Sequence, residues 1–261
     1  EMLKKVKIES DVLHVCIAHA LTNEREEIMG LLIGQVEDDV SHIHALVLLE
    51  RLDKQKDRVE ISPEQLCNAA MTAEKLGERT RLKQPMRIIG WYHSHPHITV
   101  WPSHVDVQTQ HAYQLMDKDF IGLIVSCFNQ SDQSKMGEVR VTCFQAVKFE
   151  GNDSHERVEI EQEIVSTKEL SHACLQELTK LPEILLQEEI SAYQESLSYA
   201  DQDVLTAVQN SAVYTQAVTK IIEIICTPIF QLMESRLAKS KMKQNELIRK
   251  LKVEGRLTKL V

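Results

Sequence analysis

The chain has 261 residues, 43% hydrophobic and 26% charged, which supplies a packed core and excludes a disordered or fibrous polymer. No apolar run approaches the ~18 residues that span a bilayer, and the first twenty residues lack a signal-peptide pattern, so we expect a soluble intracellular protein. Six cysteines (Cys16, Cys67, Cys127, Cys143, Cys174, Cys226) without a C-x-x-C pair predict buried thiols in a reducing compartment rather than a disulfide framework or zinc finger.

In chain order, Val6 to Glu9 alternates as a strand, and Ser10 is the expected N-cap of a helix reaching about Asn23. Ile28 to Gln35 and Ile43 to Leu49 are β-rich apolar runs. Ser62, with Pro63 at the first helical position and Gln65 at the capping-box position, opens a helix to about Arg79. Strands are predicted at Met86 to Tyr92, Phe120 to Phe128 and Glu138 to Phe149, with a helix from Ser103 to Met116. Residues 1–150 therefore read as one α/β domain.

Beyond Gly151-Asn152-Asp153 no glycine occurs until Gly255, and apolar residues recur every three or four positions. Residues 151–261 are expected to be helical and to serve assembly. Pro182 should open a new helix, Ser198 to Asp203 should turn, and Pro228 should end or kink the helix carrying Ile221, Ile222, Ile224 and Ile225. The stripe Leu232, Leu237, Leu247 and Leu251 needs another chain to cover it. Nine Lys/Arg face two acidic residues between Arg236 and Lys259. Lacking aromatic interleaving or a nucleic-acid motif, this stretch is read as a solvated helical face, and no direct nucleic-acid or membrane partner is expected.

The chemistry concentrates in Tyr92-His93-Ser94-His95-Pro96-His97-Ile98-Thr99-Val100-Trp101-Pro102-Ser103-His104-Val105-Asp106. On extended backbone His93 and His95 project to one side, as two ligands of one metal must. Asp106, at a helix start, can add a carboxylate, and two imidazoles with one carboxylate leave a fourth zinc position open for water. Ser103 and Asp106 equally form a helix capping box, and the two readings are compatible. His42 and His44 are also two apart but have no matching Ser or Asp downstream, so they read as a strand face. His97, His104 and His111 read as surface positions.

His93-Ser94-His95, seven residues, Ser103, two residues and Asp106 resembles the H-S/T-H-x7-S-x2-D signature of JAMM (MPN+) metalloproteases. The E-x-x-G-x-x-x-G element of that family is matched by Glu27 to Gly34, whereas Glu24 and Glu26 lack this relation to both glycines. Segments Arg58 to Gln65 and Gly90 to Val107 are similar to the branch found in the BRISC and BRCA-associated A complexes, with a longer insertion expected where this chain has only Gly34 to Ser41.

The resemblance implies an MPN fold, a central mixed β-sheet flanked by helices, followed by a helical bundle or coiled coil. It implies one Zn2+ per chain on His93, His95 and Asp106, with Glu27 as general base then acid and Ser103 as oxyanion donor. The implied activity is hydrolysis of isopeptide bonds in lysine-63-linked polyubiquitin. The implied partner is a catalytically dead MPN scaffold of the Abraxas type, in cytoplasm and nucleus, with a role in DNA repair. A zinc deaminase is disfavoured because H-x-E and P-C-x-x-C are absent, and a scaffold MPN domain because every ligand position is filled. A cysteine protease is disfavoured because no cysteine lies near the motif.

Overall fold

The structure, a computed structural model, describes residues 2–51, 61–79, 85–131, 134–148, 154–198 and 203–253. Seven strands, β1 (Lys5–Glu9), β2 (Met29–Glu37), β3 (Val40–Leu48), β4 (Arg87–Pro96), β5 (Ile121–Ser131), β6 (Ser134–Lys148) and β7 (His155–Val165), form one mixed sheet. The spatial order is β1-β3-β2-β4-β5-β6-β7, and β7 pairs in parallel with β1 to close a barrel. Helices α1 (Ser10–Ala20), α2 (Pro63–Arg79) and α3 (His104–Met116) connect strands, and α4 (His172–Ser198), α5 (Val204–Lys220) and α6 (Thr227–Val253) follow the sheet. The chain forms two compact units, Glu1–Ile184 and Leu185–Val261.

The β2–β3 hairpin turns on Asp38 and Asp39, both at positive φ (51° and 62°), so the expected insertion is replaced by a two-residue turn. At Gly34 the ladder carries a bulge, and a Cβ there would run into the main-chain oxygen of His42. At Gly30 a Cβ would collide with the ring of the fully buried Tyr92. Both glycines of the E-x-x-G-x-x-x-G element are thus needed for close approach. Met29, Leu31, Trp91, Phe120, Ile124 and Phe144 cluster in the core behind the central strands.

Several expectations are corrected. Residues 155–165, expected to be helical, form β7, because its backbone pairs with both β6 and β1; the sheet therefore runs past residue 150. Ser10 does not cap α1; the N-cap is Glu9, with no side-chain bond, and the Ser10 hydroxyl instead accepts from Thr167 N at 2.9 Å. Pro182 lies inside α4 rather than opening a helix. The buried row Cys174, Leu178 and Leu181 in the turns before Pro182 holds α4 against the lost hydrogen bond.

Pro228 likewise does not end its helix. A π-helical segment, Ile221–Cys226, joins α5 to α6, and Thr227 Oγ1 donates to Ile222 O at 3.0 Å. Widening the turn before the proline spares its missing N–H a conventional partner. The merged helix Val204–Lys252 contains an 18-residue window of mean hydropathy 1.2 with at most two charged residues, long and apolar enough by length and composition to cross a membrane. No uninterrupted apolar run signals it, because polar residues punctuate the stretch.

Other expectations hold. Ser62 Oγ accepts from Gln65 N, and Gln65 Oε1 accepts from Ser62 N, both at 3.1 Å. The cysteines are free thiols, and Cys16, Cys127, Cys143 and Cys174 are buried as expected; Cys67 is exposed and Cys226 intermediate, which corrects the expectation for those two. Of the expected stripe, Leu237, Leu247 and Leu251 are 55%, 51% and 40% exposed and lie open on this chain, whereas Leu232 is half-buried. Residues 58–60, 151–153 and 199–202, on which parts of the reading above fall, lie outside the described residues.

Candidate metal centre

Strand alternation puts Trp91, His93 and His95 on one side of β4. The Trp91 indole stacks on His93 with centroids 4.5 Å apart and planes 14° apart, while its Nε1–H donates to Gln110 Oε1 of α3 at 2.7 Å. His93 is therefore fixed in orientation as well as position. His95 Nδ1–H donates to Thr99 O at 2.7 Å, which leaves its Nε2 lone pair free to bind a cation.

Asp106 arrives from α3. Ser103 Oγ accepts from Asp106 N at 3.2 Å, and Asp106 Oδ2 accepts from Ser103 N at 2.6 Å, so the capping box itself aims the carboxylate. Nε2 of His93 and Nε2 of His95 are 3.0 Å apart, and each lies 3.4 Å from an oxygen of Asp106. Four bonds of ~2.0–2.1 Å around a tetrahedral zinc separate ligand atoms by about 3.3 Å, so this donor set fits zinc. Among the described residues these three form the one cluster able to hold a metal.

Glu27 lies just before β2, with Oε1 3.9 Å from His95 Nε2. Its neighbours are engaged elsewhere: Glu26 pairs with Arg51, and Glu24 pairs with His97 at 3.1 Å. Burial alone would raise the Asp106 carboxyl and lower the His95 imidazole. Hydrogen bonds from both histidines and Ser103 nevertheless hold Asp106 well below the carboxylate range. Those to Asp106 and the Thr99 carbonyl, with the Glu27 charge, bring His95 above its ordinary value. The pocket concentrates negative charge where a cation would sit.

The alternatives lie elsewhere. His42 and His44 stack on β3 with centroids 6.2 Å apart, and His44 Nδ1 bonds Glu9 at 2.7 Å. His104 bonds Gln108, and His111 stacks on His155. Sequence reasoning missed Ser94, which is fully buried. Its Oγ accepts from Ile28 N at 2.9 Å and its N–H donates to Ile28 O at 3.0 Å, tying β4 to the residue after Glu27. The S/T between the two histidines carried that signal.

His19 is also buried in this layer and shares a 2.9 Å hydrogen bond with the Tyr92 hydroxyl. Burial, aided by the Arg51 charge, pushes its pKa down to about 3. The unfolded imidazole titrates near ~6.5, so protons bind the unfolded chain first: stability is complete above ~6.5 and falls as pH drops toward 3, by up to ~1.4 kcal/mol per unit. Between pH 6.5 and 5, where most carboxylates stay ionised, His19→Gln is expected to flatten the fall in melting temperature. An unchanged slope in that variant would assign the acid sensitivity to another group.

Comparison with known proteins gives the family of the chain. A family model described as JAB1/Mov34/MPN/PAD-1 ubiquitin protease matches residues 1–119. Proteins named Lys-63-specific deubiquitinase BRCC36 are 45% identical in Xenopus tropicalis, over 94% of both chains, and 47% identical in Camponotus floridanus, over 95% of this chain and 94% of that one. The chain belongs to this ubiquitin protease family, in its BRCC36 branch. A model of the BRCC36 C-terminal helical domain matches residues 174–253, from within α4 to the end of α6. The MPN residues matched at 1–119 contain Glu27, His93, His95, Ser103 and Asp106, and this family is zinc-dependent.

Proposed function

We propose that the chain is a zinc-dependent deubiquitinase that hydrolyses isopeptide bonds of lysine-63-linked polyubiquitin. The observation that carries this reading is the convergence of His93, His95 and Asp106 with the Glu27 carboxylate 3.9 Å from His95 Nε2. The linkage is supported by relatives 42–47% identical to the chain, which are named Lys-63-specific deubiquitinases.

His93, His95 and Asp106 would hold one zinc ion, which when bound supplies Lewis acidity that polarises the scissile carbonyl and acidifies water. Glu27 takes the proton of the attacking water and delivers it to the departing lysine amine, acting as base and then acid. Ser103 Oγ already accepts from Asp106 N, so its own proton is available to the oxygen that gains charge. The acyl carbon passes directly to water, with no nucleophilic side chain required.

The helical unit would bind a catalytically inactive MPN scaffold of the Abraxas type. Val204, Val208, Ile224, Phe230 and Leu237 are exposed on α5, the π segment and α6, and covering each large apolar side chain contributes ~1.5–3 kcal/mol. The test is a panel of di-ubiquitin linkages offered to the co-expressed assembly and to a chain ending at residue 228. Cleavage confined to lysine-63 linkage, lost with the partner in the truncated chain while zinc is kept, is the expected result. Cleavage spread evenly across linkages would sink the substrate assignment. Full activity without co-purifying partner would sink the assembly role.

A further inference from the structure

Residues 97–102 join the second candidate imidazole to the helix that carries Asp106, and side chains from elsewhere in the sheet secure their carbonyls. Ile98 O accepts from Ser126 Oγ at 2.6 Å and from Asn129 Nδ2 at 3.4 Å, both on β5. Thr99 O accepts from His95 itself. Pro102 O accepts from Arg157 Nη1 of β7 at 3.3 Å. The same guanidinium stands 5.0 Å over the Trp101 ring. Pro102 is buried, whereas Trp101 is 45% exposed.

We infer that Arg157 is a positioning residue for the reaction and acts through Ser103. It grips the two residues immediately before Ser103, one by its carbonyl and one by its ring, and so restricts the backbone from which the hydroxyl projects. A planar guanidinium can stand over an indole and donate to a neighbouring carbonyl at once. Arg157 belongs to the stretch between the two matched segments, 1–119 and 174–253, and lies outside the JAMM signature. The inference rests on reading Ser103 as the oxyanion donor, because a residue that only positions another has no effect of its own once that other is gone.

That property sets the test. Arg157→Ala, Ser103→Ala and the double variant are made in the full zinc-loaded chain in the assembly it forms, and kcat, KM and zinc content are measured with lysine-63-linked di-ubiquitin. Arg157→Ala is expected to lower kcat roughly ten-fold, with KM and zinc content unchanged. In the Ser103→Ala background it should cost less than roughly two-fold more. In the metal-free chain it should raise acrylamide quenching of tryptophan fluorescence, because Trp101 loses its cover. Multiplicative losses, loss of zinc, a rise in KM alone or unchanged quenching would each overturn the role of Arg157. Ser103→Ala at the wild-type rate would overturn the oxyanion reading itself and this coupling with it. An impaired Ser103→Ala with multiplicative losses overturns only Arg157.

Discussion

Glu27→Ala is expected to retain one zinc per chain and to lose at least ~10³ in kcat, within the 10²–10⁴ range that a positioned acid-base group contributes. Glu27 Oε1 lies 3.9 Å from His95 Nε2, beside the donor cluster and not within it, so its removal deletes a proton acceptor without deleting a ligand. Glu24 and Glu26 are committed to His97 and Arg51, which leaves neither poised to substitute. Glu27→Gln, which keeps the shape, should be as slow as the alanine variant. Metal analysis beside single-turnover cleavage separates the outcomes; a Glu27→Ala enzyme that cleaves at the wild-type rate would return the proton-transfer role to its neighbours.

His93→Gln is expected to abolish zinc binding and cleavage together, whereas His42→Gln should disturb neither. The two histidines belong to pairs of identical spacing, and the contrast is one of surroundings. His93 is completely buried, stacked on Trp91 and within 3.4 Å of Asp106. His42 faces its strand neighbour His44. Two ligands in place of three leave a site whose affinity falls well beyond the 10–100-fold loss caused by an outer-shell change. Chelator treatment should reproduce the effect in the unmodified chain, reversed on adding zinc. Equal zinc loss in both variants would refute the ligand assignment.

The site was legible in the sequence because its geometry is local. Strand alternation aligned His93 with His95, and the capping box set Ser103 and Asp106 at the start of one helix, so short spacings already determined which side chains could meet. Gly30 and Gly34 entered the reading only through the family element, and the structure supplies their reason, close approach to Tyr92 and His42. What escaped depends on distant partners. β7 reads His-Glu-Arg-Val-Glu-Ile-Glu-Gln-Glu-Ile-Val, and the alternation of Val158, Ile160 and Ile164 with charged residues is a strand signal that the glycine-free, Glu- and Gln-rich composition after residue 153 masks; only Ile160 in it is buried, and pairing with β6 and β1 makes it a strand. Ser94 and Arg157 act through Ile28 and Pro102, 66 and 55 positions away. Pro182 and Pro228 were read by local propensity, which packing and a widened turn override.

The segment Ile221–Cys226 also sets an angular phase. One residue accommodated in a wide turn rotates everything downstream by about 100° relative to an unbroken α-helix. Residues of α5 and α6 separated by whole heptads therefore do not fall on one straight line of the helix surface. A companion helix of strict heptads laid along both would keep its phase with one of them and lose it with the other unless it carried an irregularity at the same height.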